Sequence, residues 1–422
     1  MVLKGVIIIL GLVVLATARK APHADYVEKM FKSGKFQDRF STSVEEDSQL
    51  DAPSLISKYG YPSETHYVTT SDGYILEMHR IPHGRDNNNR PGSRPAVLVM
   101  HGLLSSSADF IVLGTGSALS YTLAEAGYDV WLGNARGNAY SRRHRSMNPD
   151  SKISQNFWKF SWDEIGNYDL AAFVDYILAR TDQKKIHYIG HSQGGTTFLV
   201  LNSLKPQYNE KFISFQGLAP ASFMINNNVS MFQSLAPFEN VIETSAFAMG
   251  QGEIFGGEDF ISWFISTQCK PGSIFESLCG SPITGITERE YFNSTLVPLF
   301  LAHAPAGASI RQIAHYGQVI RFRAFRRYNF NTVTNLAIYG RVSPPAYNLN
   351  NVKVPSYIHY GLSDKEVHYR DIYLLHNALP NSELHRVKRD SFNHYDFIWA
   401  DDAKESLYDH VIECMRDAER KL

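Results

Sequence analysis

One strand-to-helix turn constrains this chain more than any other feature. "KIHYIG" (Lys185–Gly190) reads as a short buried strand and "TTFLVLNSL" (Thr196–Leu204) as a helix, with Gly190-His191-Ser192-Gln193-Gly194 between them. A serine with glycines two residues before and two after, where a strand becomes a helix, is the pattern of a nucleophile elbow. The chain must reverse so sharply that the serine is strained, and the glycines remove the Cβ atoms that would collide. Taken alone, the same letters describe an ordinary glycine-bearing turn. The flanking strand and helix favour the elbow.

The surrounding sequence supplies a sheet for such a turn. "AVLVMHG" (Ala96–Gly102), "YDVWLGNARG" (Tyr128–Gly137) and "PSYIHYG" (Pro355–Gly361) are continuous apolar runs, as expected of strands buried on both faces. "ELHRVKR" (Glu383–Arg389) alternates instead. "HYVTTSDGYILEMHRIP" (His66–Pro82) predicts a hairpin turning at Ser71-Asp72-Gly73, and "RDNNNRPGSRP" (Arg85–Pro95) a loop. "SWDEIGNYDLAAFVDYIL" (Ser161–Leu178) has helical periodicity, carried by Leu170, Phe173, Val174, Ile177 and Leu178. Strands alternating with helices predict an α/β fold, with a mostly parallel central sheet and helices on both faces.

That alternation fails between about residues 221 and 343, a stretch rich in Phe and Asn, which reads as an inserted cap. Residues 56–220 and 344–422 then form two parts of one core. Ahead of them, Lys4, the apolar run "GVIIILGLVVLATA" and Ala16-Thr17-Ala18 before Arg19-Lys20 have the layout of a secretory signal peptide over residues 1–18. A membrane span needs ~20 apolar residues, and Arg19-Lys20 interrupts this run too early. Residues 19–55, charged with scattered aromatics, predict a helical arm or a processed segment.

The charge balance excludes some partners. With 41 basic and 42 acidic residues there is no electrostatic case for nucleic acid or for strongly anionic membranes. In an oxidising compartment Cys269 and Cys279 are near enough to close a small loop, worth ~2–3 kcal/mol if bridged, which leaves Cys414 free. The linear spacing carries no Cys/His metal pattern. Asn228-Val229-Ser230 and Asn293-Ser294-Thr295 are glycosylation sequons, usable in a secreted chain.

Serine needs a base to take its proton, and the base needs a carboxylate to orient it. His191 is nearest in sequence, but side chains of neighbouring residues on a sharp turn diverge, so it is expected to pack beside the elbow. The order on such a fold is Ser, then Asp or Glu, then His. Asp364, just past the "PSYIHYG" strand, and His394, on a loop before a helical C-terminal stretch, meet it. Developing charge on a carbonyl oxygen calls for the N–H of Gln193 and one from the loop after "AVLVMHG", where Leu103 is the natural donor and Gly102 permits close approach.

Beyond the elbow, longer stretches carry a resemblance: "YPSETHYVTTSDGYILEMHRIP", "HGLLSSSADF", "DVWLGNARGNAYSRRH", "FWKFSWDEIGNYDL", "GHSQGG", "HAPAGAS" and "NHYDFIWA". Over nearly the whole mature chain the sequence resembles the acid lipase family, the group of gastric and lysosomal acid lipases. The resemblance implies an α/β-hydrolase core with a cap and lid, hydrolysing acylglycerols or sterol esters at a lipid–water interface without cofactor or metal. It implies Ser192 as nucleophile, His394 as base, Leu103 and Gln193 as oxyanion donors, and a Cys269–Cys279 disulfide. The destination implied is extracellular, with the lysosomal lumen as alternative.

The stretch "GLSDKEVHYRDI" departs from the longer Asp-rich run usual in the family; Asp364 still fits, Asp371 is the weaker substitute, and Asp396 reads as structural. "GGEDFISWFISTQC" (Gly256–Cys269) fits either a mobile lid or fixed cap core, and "RFRAFRRY" (Arg321–Tyr328) a solvated face with aromatic anchors. Two rivals remain: a general carboxylesterase or peptidase on the same core, since an elbow does not choose the leaving group, and a silent lipid carrier. The carrier should have lost a triad member, and none is missing here.

Overall fold

The hairpin forms as predicted: β1 (Glu64–Thr69) pairs antiparallel with β2 (Tyr74–Ile81). Gly73, at φ +100°, makes the turn; a Cβ there would stand 2.7 Å from His144 Nε2. The computed structural model describes residues 19–33, 41–227, 233, 236–256 and 289–422. After the hairpin come β3 (Ala96–Met100), β4 (Asp129–Gly133), the short β5 (Arg143–His144), β6 (Ile186–His191) and β7 (Phe212–Leu218). A separate ribbon, β8 (Glu253–Ile254) with β9 (Ala308–Ser309), precedes β10 (Ser356–Tyr360) and β11 (Ser382–Arg386).

The large sheet runs β1-β2-β4-β3-β6-β7-β10-β11, with β5 on β2. From β4 to β11 every neighbouring pair is parallel. β3, β4, β6, β7 and β10 are buried at every residue, whereas edge strand β11 is half-buried. That explains why the central strands lack alternation and β11 shows it.

Helices fill the crossovers: α4 (Leu119–Glu125) between β3 and β4, α5 (Leu170–Thr181) between β4 and β6, and α6 (Gln193–Leu204) between β6 and β7. They are preceded by α1 (Ala24–Lys32), α2 (Thr42–Ser48) and α3 (Ala52–Lys58). α6 is buried from Gln193 to Ser203, matching its unbroken apolar composition. Strand order reverses beside β3, because β4 lies on one side and β6 on the other. The crevice at the C-terminal ends of β3 and β6 is therefore a topological switch point, where open α/β sheets bind ligands.

Between β7 and β10 the chain leaves the sheet, and its described residues form α7 (Glu239–Ala248), α8 (Val297–His303), α9 (Ile310–Phe322) and α10 (Thr332–Tyr339). The N-terminal arm is helical and fastened. Ser41 caps α2 and Asp51 caps α3, through Val44 N–H and Ser54 N–H. Ala21, Ala24, Tyr26, Val27 and Phe31 pack with Ala302 of α8, and Arg19 Nη1 donates to Glu77 Oε1 at 2.9 Å. α11 (Tyr369–Ala378) links β10 to β11, and α12 (Asp409–Arg420) closes the chain.

Candidate active site

β6 ends at His191, and α6 begins at Gln193. Between them Ser192 has φ 52° and ψ −115°, a left-handed conformation that costs a non-glycine residue on the order of 1–3 kcal/mol. The flanking glycines are required by space. A Cβ on Gly194 would lie 2.2 Å from Met100 O, and one on Gly190 2.6 Å from Gly195 N. Ser192 N–H donates to Leu218 O of β7 at 2.9 Å, so the turn is pinned between two strands.

Asp364 lies four residues past the end of β10 and is buried. Its Oδ1 accepts from Val367 N–H at 2.7 Å, and its Oδ2 from His394 Nδ1–H at 2.8 Å. The second bond leaves the lone pair of His394 on Nε2. Burial alone would depress the His394 pKa, but the charge and hydrogen bond of Asp364, with Glu366 nearby, carry it above its ordinary value.

His191 does not serve as this imidazole does. Its Nε2–H donates to the His394 carbonyl at 3.0 Å, and the two rings lie 4.8 Å apart. Burial, followed by the repulsion of His394, pushes its pKa well down. His191 is a neutral brace that holds the His394 backbone beside the elbow. Ser192 Oγ itself makes no hydrogen bond with a described residue, a looseness usual before substrate binds.

The other two aspartates are committed elsewhere. Asp371 accepts from Asn226 N–H at 2.8 Å and Asn226 Nδ2 at 2.7 Å. Asp396 accepts from Asn393 N–H at 2.9 Å and pairs with Arg389 at 3.2 Å.

The loop after β3 lies over the elbow: a Cβ on Gly102 would be 3.3 Å from Ser192 Cβ and 3.7 Å from its Oγ. Here His101 fixes the tilt of the peptide that follows it. Ala135 N–H donates to His101 Nε2 at 3.1 Å, so the ring proton sits on Nδ1 and donates to Gly102 O at 2.7 Å. Gly102 C=O and Leu103 N–H belong to one trans peptide and point in opposite directions. Anchoring the carbonyl to His101 therefore aims the Leu103 N–H away, and no described residue accepts from it. Gln193 heads α6, so its N–H also lacks an intrahelical acceptor. Burial holds the His101 pKa down to about 4, which keeps this tautomer through neutral and mildly acidic pH.

Gln193 Nε2 donates to Gln312 Oε1 of α9 at 2.7 Å, and Tyr316 OH lies 3.3 Å from Thr196 Oγ1. A helix outside the sheet thus rests on the elbow. Sequence reasoning missed His101, Gln312 and Glu366; only His101, beside Gly102 and Leu103, carried a local signal. "RFRAFRRY" is a mixed surface. Phe325 and Tyr328 are buried anchors, while Arg327 Nε pairs with buried Asp163 at 2.9 Å. Cys269, Cys279, Asn228 and all but the first residue of Gly256–Cys269 lie outside the described residues, as do residues 1–18. Asn293 is described; its Oδ1 accepts from Thr295 N–H at 3.1 Å. Among the described residues, no helix is long and apolar enough to cross a membrane.

Topology and elbow define an α/β hydrolase. The model of the partial α/β-hydrolase lipase region matches residues 52–114, and that of the α/β hydrolase fold residues 95–239. A putative lipase from Sulfolobus solfataricus superposes with a TM-score of 0.55 at 16% identity, covering 84% of this chain and 94% of that one. A soluble variant of monoglyceride lipase from Saccharomyces cerevisiae gives 0.53 at 17%, covering 85% and 98%. At these identities the likeness concerns the fold alone.

The sequence relatives are nearer. Lipase 1 of Drosophila melanogaster is 39% identical over 88% of this chain and 81% of its own length. Gastric triacylglycerol lipase of Bos taurus is 36% identical, covering 88% and 92%. Human lysosomal acid lipase/cholesteryl ester hydrolase is 33% identical, covering 89% and 93%. The chain belongs to the acid lipase family of gastric and lysosomal lipases, and it is a carboxylic ester hydrolase.

Proposed function

We propose that this protein is a secreted serine lipase that hydrolyses apolar lipid esters, triacylglycerols foremost, through an acyl-enzyme. The observation that carries the reading is the 2.8 Å Asp364–His394 hydrogen bond, with His394 tied through its carbonyl to the residue beside Ser192. Ser192 Oγ attacks the ester carbonyl carbon while His394 Nε2 takes its proton. Asp364 holds the imidazole in the required tautomer and stabilises the imidazolium. The N–H groups of Leu103 and Gln193 receive the oxyanion. His394 then protonates the departing alkoxide, and the alcohol leaves. Water, deprotonated by His394, attacks the acyl-enzyme; the tetrahedral adduct collapses, Ser192 regains its proton, and the fatty acid departs.

Residues 221–343 act in this reading as the cap, supported by the contact of Gln312 and Tyr316 with the elbow helix. Gly256–Cys269 contributes the lid, and Cys269 and Cys279 form a disulfide of the cap. Residues 1–18 are the cleaved signal, and Asn228 and Asn293 carry glycans. A long apolar acyl groove under the cap would favour lipid over small polar esters, and cationic or polar subsites would favour the esterase or peptidase.

Hydrolysis of emulsified long-chain triglyceride should be compared with that of a soluble short-chain ester, for wild type and Ser192→Ala. The lipase reading expects a preference for the emulsion that the variant abolishes. Undiminished hydrolysis by the variant would refute the nucleophile, and a preference for the soluble ester would refute the lipid substrate.

A further inference from the structure

The linear spacing of cysteine and histidine carries no metal pattern, but the fold assembles one. His410 and Cys414 stand four residues apart on α12, so both project from one face. β11 presents His385 against that face, with His410 Nε2 2.9 Å from His385 Nδ1. Cys414 Sγ lies 3.7 Å from His410 Nε2, and the donor atoms of all three residues fall within 4.8 Å of one another. Tetrahedral zinc, with Zn–N of ~2.0–2.1 Å and Zn–S of ~2.3 Å, spaces its ligand atoms roughly 3.3–3.6 Å apart. Two of the separations, 2.9 and 3.7 Å, are already near that spacing.

Their surroundings point the same way. A metal-bound imidazole usually passes its other ring N–H to a carboxylate. Glu413 Oε2 is 3.2 Å from His410 Nδ1, and Glu383 Oε2 is 3.8 Å from His385 Nε2. The 2.9 Å contact between the rings holds one proton; with the ring protons turned toward the carboxylates on metal binding, both lone pairs would face the gap beside Cys414. At 3.8 Å Glu383 is beyond hydrogen-bond distance of His385 Nε2, which is buried without a hydrogen bond in this arrangement.

Cys414 sits in an apolar bed of Ile213, Tyr357 and Ala418, where burial pushes its thiol up to about 12. Burial, then the neighbouring His410, pushes the His385 pKa down. His359, whose ring lies 5.2 Å from that of His385, forms a wall and is no ligand, because its Nε2 donates to Gln216 Oε1 at 3.0 Å. His410, with 48% of its side chain exposed, leaves an entry path and a position for water.

We propose that His385, His410 and Cys414 bind a divalent ion of the zinc class, with water as fourth ligand, clamping edge strand β11 to the C-terminal helix α12. Thiolate and imidazole together select zinc over calcium or magnesium, which take oxygen. On binding, the Sγ–H bond breaks and its proton passes to bulk buffer. One Zn–S and two Zn–N bonds form as the hydrated ion releases all but one of its waters. No electron changes hands, and no residue of the proposed ester-hydrolysis machinery takes part.

The test uses the full, untagged chain, dialysed against EDTA and titrated with zinc chloride alone. One equivalent should bind with micromolar or tighter affinity and raise the melting temperature by about 5 °C. Cys414→Ser and His410→Asn should each weaken uptake at least ~100-fold, and Glu413→Gln ~10-fold. Cobalt chloride should give a thiolate-to-metal charge-transfer band that Cys414→Ser removes. Hydrolysis of a soluble ester, in which none of these residues takes part, reports that each variant is folded. Absence of stoichiometric uptake, uptake unchanged in both ligand variants, or a cobalt spectrum without the thiolate band would each overturn the site.

Discussion

Two buried polar clusters, each hung just beyond a central strand, are built on opposite principles. Arg136, three residues past β4, is enclosed by partners. Its Nη1 and Nη2 donate to Asp72 at 2.7 and 3.0 Å, its Nε and backbone N–H donate to Asp169 at 2.7 and 2.9 Å, and its guanidinium lies 3.9 Å from the Tyr74 ring centre. One residue past β6, the elbow is left open. Ser192 is strained, the N–H groups of Leu103 and Gln193 face no described acceptor, and His191 Nδ1 and Gln193 Oε1 are buried without partners. The first cluster joins the hairpin turn, the loop after β4 and the helical segment carrying Asp169. In the proposed mechanism a substrate completes the second, which is why strain and unpaired groups are tolerated there.

Breaking the open cluster should cost chemistry, and breaking the closed one stability. Ser192→Gly carries the largest expected effect: kcat falls ~10⁶-fold, while relief of the left-handed strain raises stability by ~1–2 kcal/mol, read by urea unfolding. A variant that lost stability instead would end the strain account. Asp364→Asn should lower kcat ~10⁴-fold by releasing the His394 tautomer, with the melting temperature nearly held.

Arg136→Met strands Asp169 and Asp72, and should cost ~3–5 kcal/mol of stability; the turnover of the folded fraction should stay near that of wild type. Equal losses of both would erase the contrast between the clusters. His101→Ala lets the Gly102–Leu103 peptide turn, so kcat should drop ~10²-fold with little change in KM. His101→Asn, which keeps a donor, should recover part of the loss.

The smallest effect concerns Asp109, buried at 5% exposure, where burial pushes the carboxyl up to about 7 against the hydrogen bond of Ser105. Its folded pKa is raised, so its contribution is fully present below about pH 4 and lost as pH rises toward 7. Asp109→Asn should flatten the melting temperature between those values. An unaltered slope would show that other groups set it.

Much of this was legible in sequence because its causes are local. The elbow needs glycines at two fixed offsets; strands buried on both faces need unbroken apolar runs; Ser192 and Asp364 fall just past strand ends and His394 on a later loop, in the order the fold prescribes. The placements of Gln312 and Glu366 were not legible. Gln312 meets Gln193 across 119 positions, a contact no periodicity encodes. Glu366 matters only because the loop after β10 curls toward His394. His191 and His394 are the same residue type and both buried, and their hydrogen-bond partners separate a brace from the proposed base.

The sequence by itself determined the elements, the turn and the chemistry available at Ser192, since backbone conformation and burial patterns depend on neighbours within a few positions. Tertiary structure alone decided which histidine receives Asp364, which way the Leu103 N–H points, and that His385 meets Cys414. Each of these is a distance between segments far apart in the chain. Hydrogen-bond direction, desolvation and metal ligation follow such distances within a few tenths of an ångström.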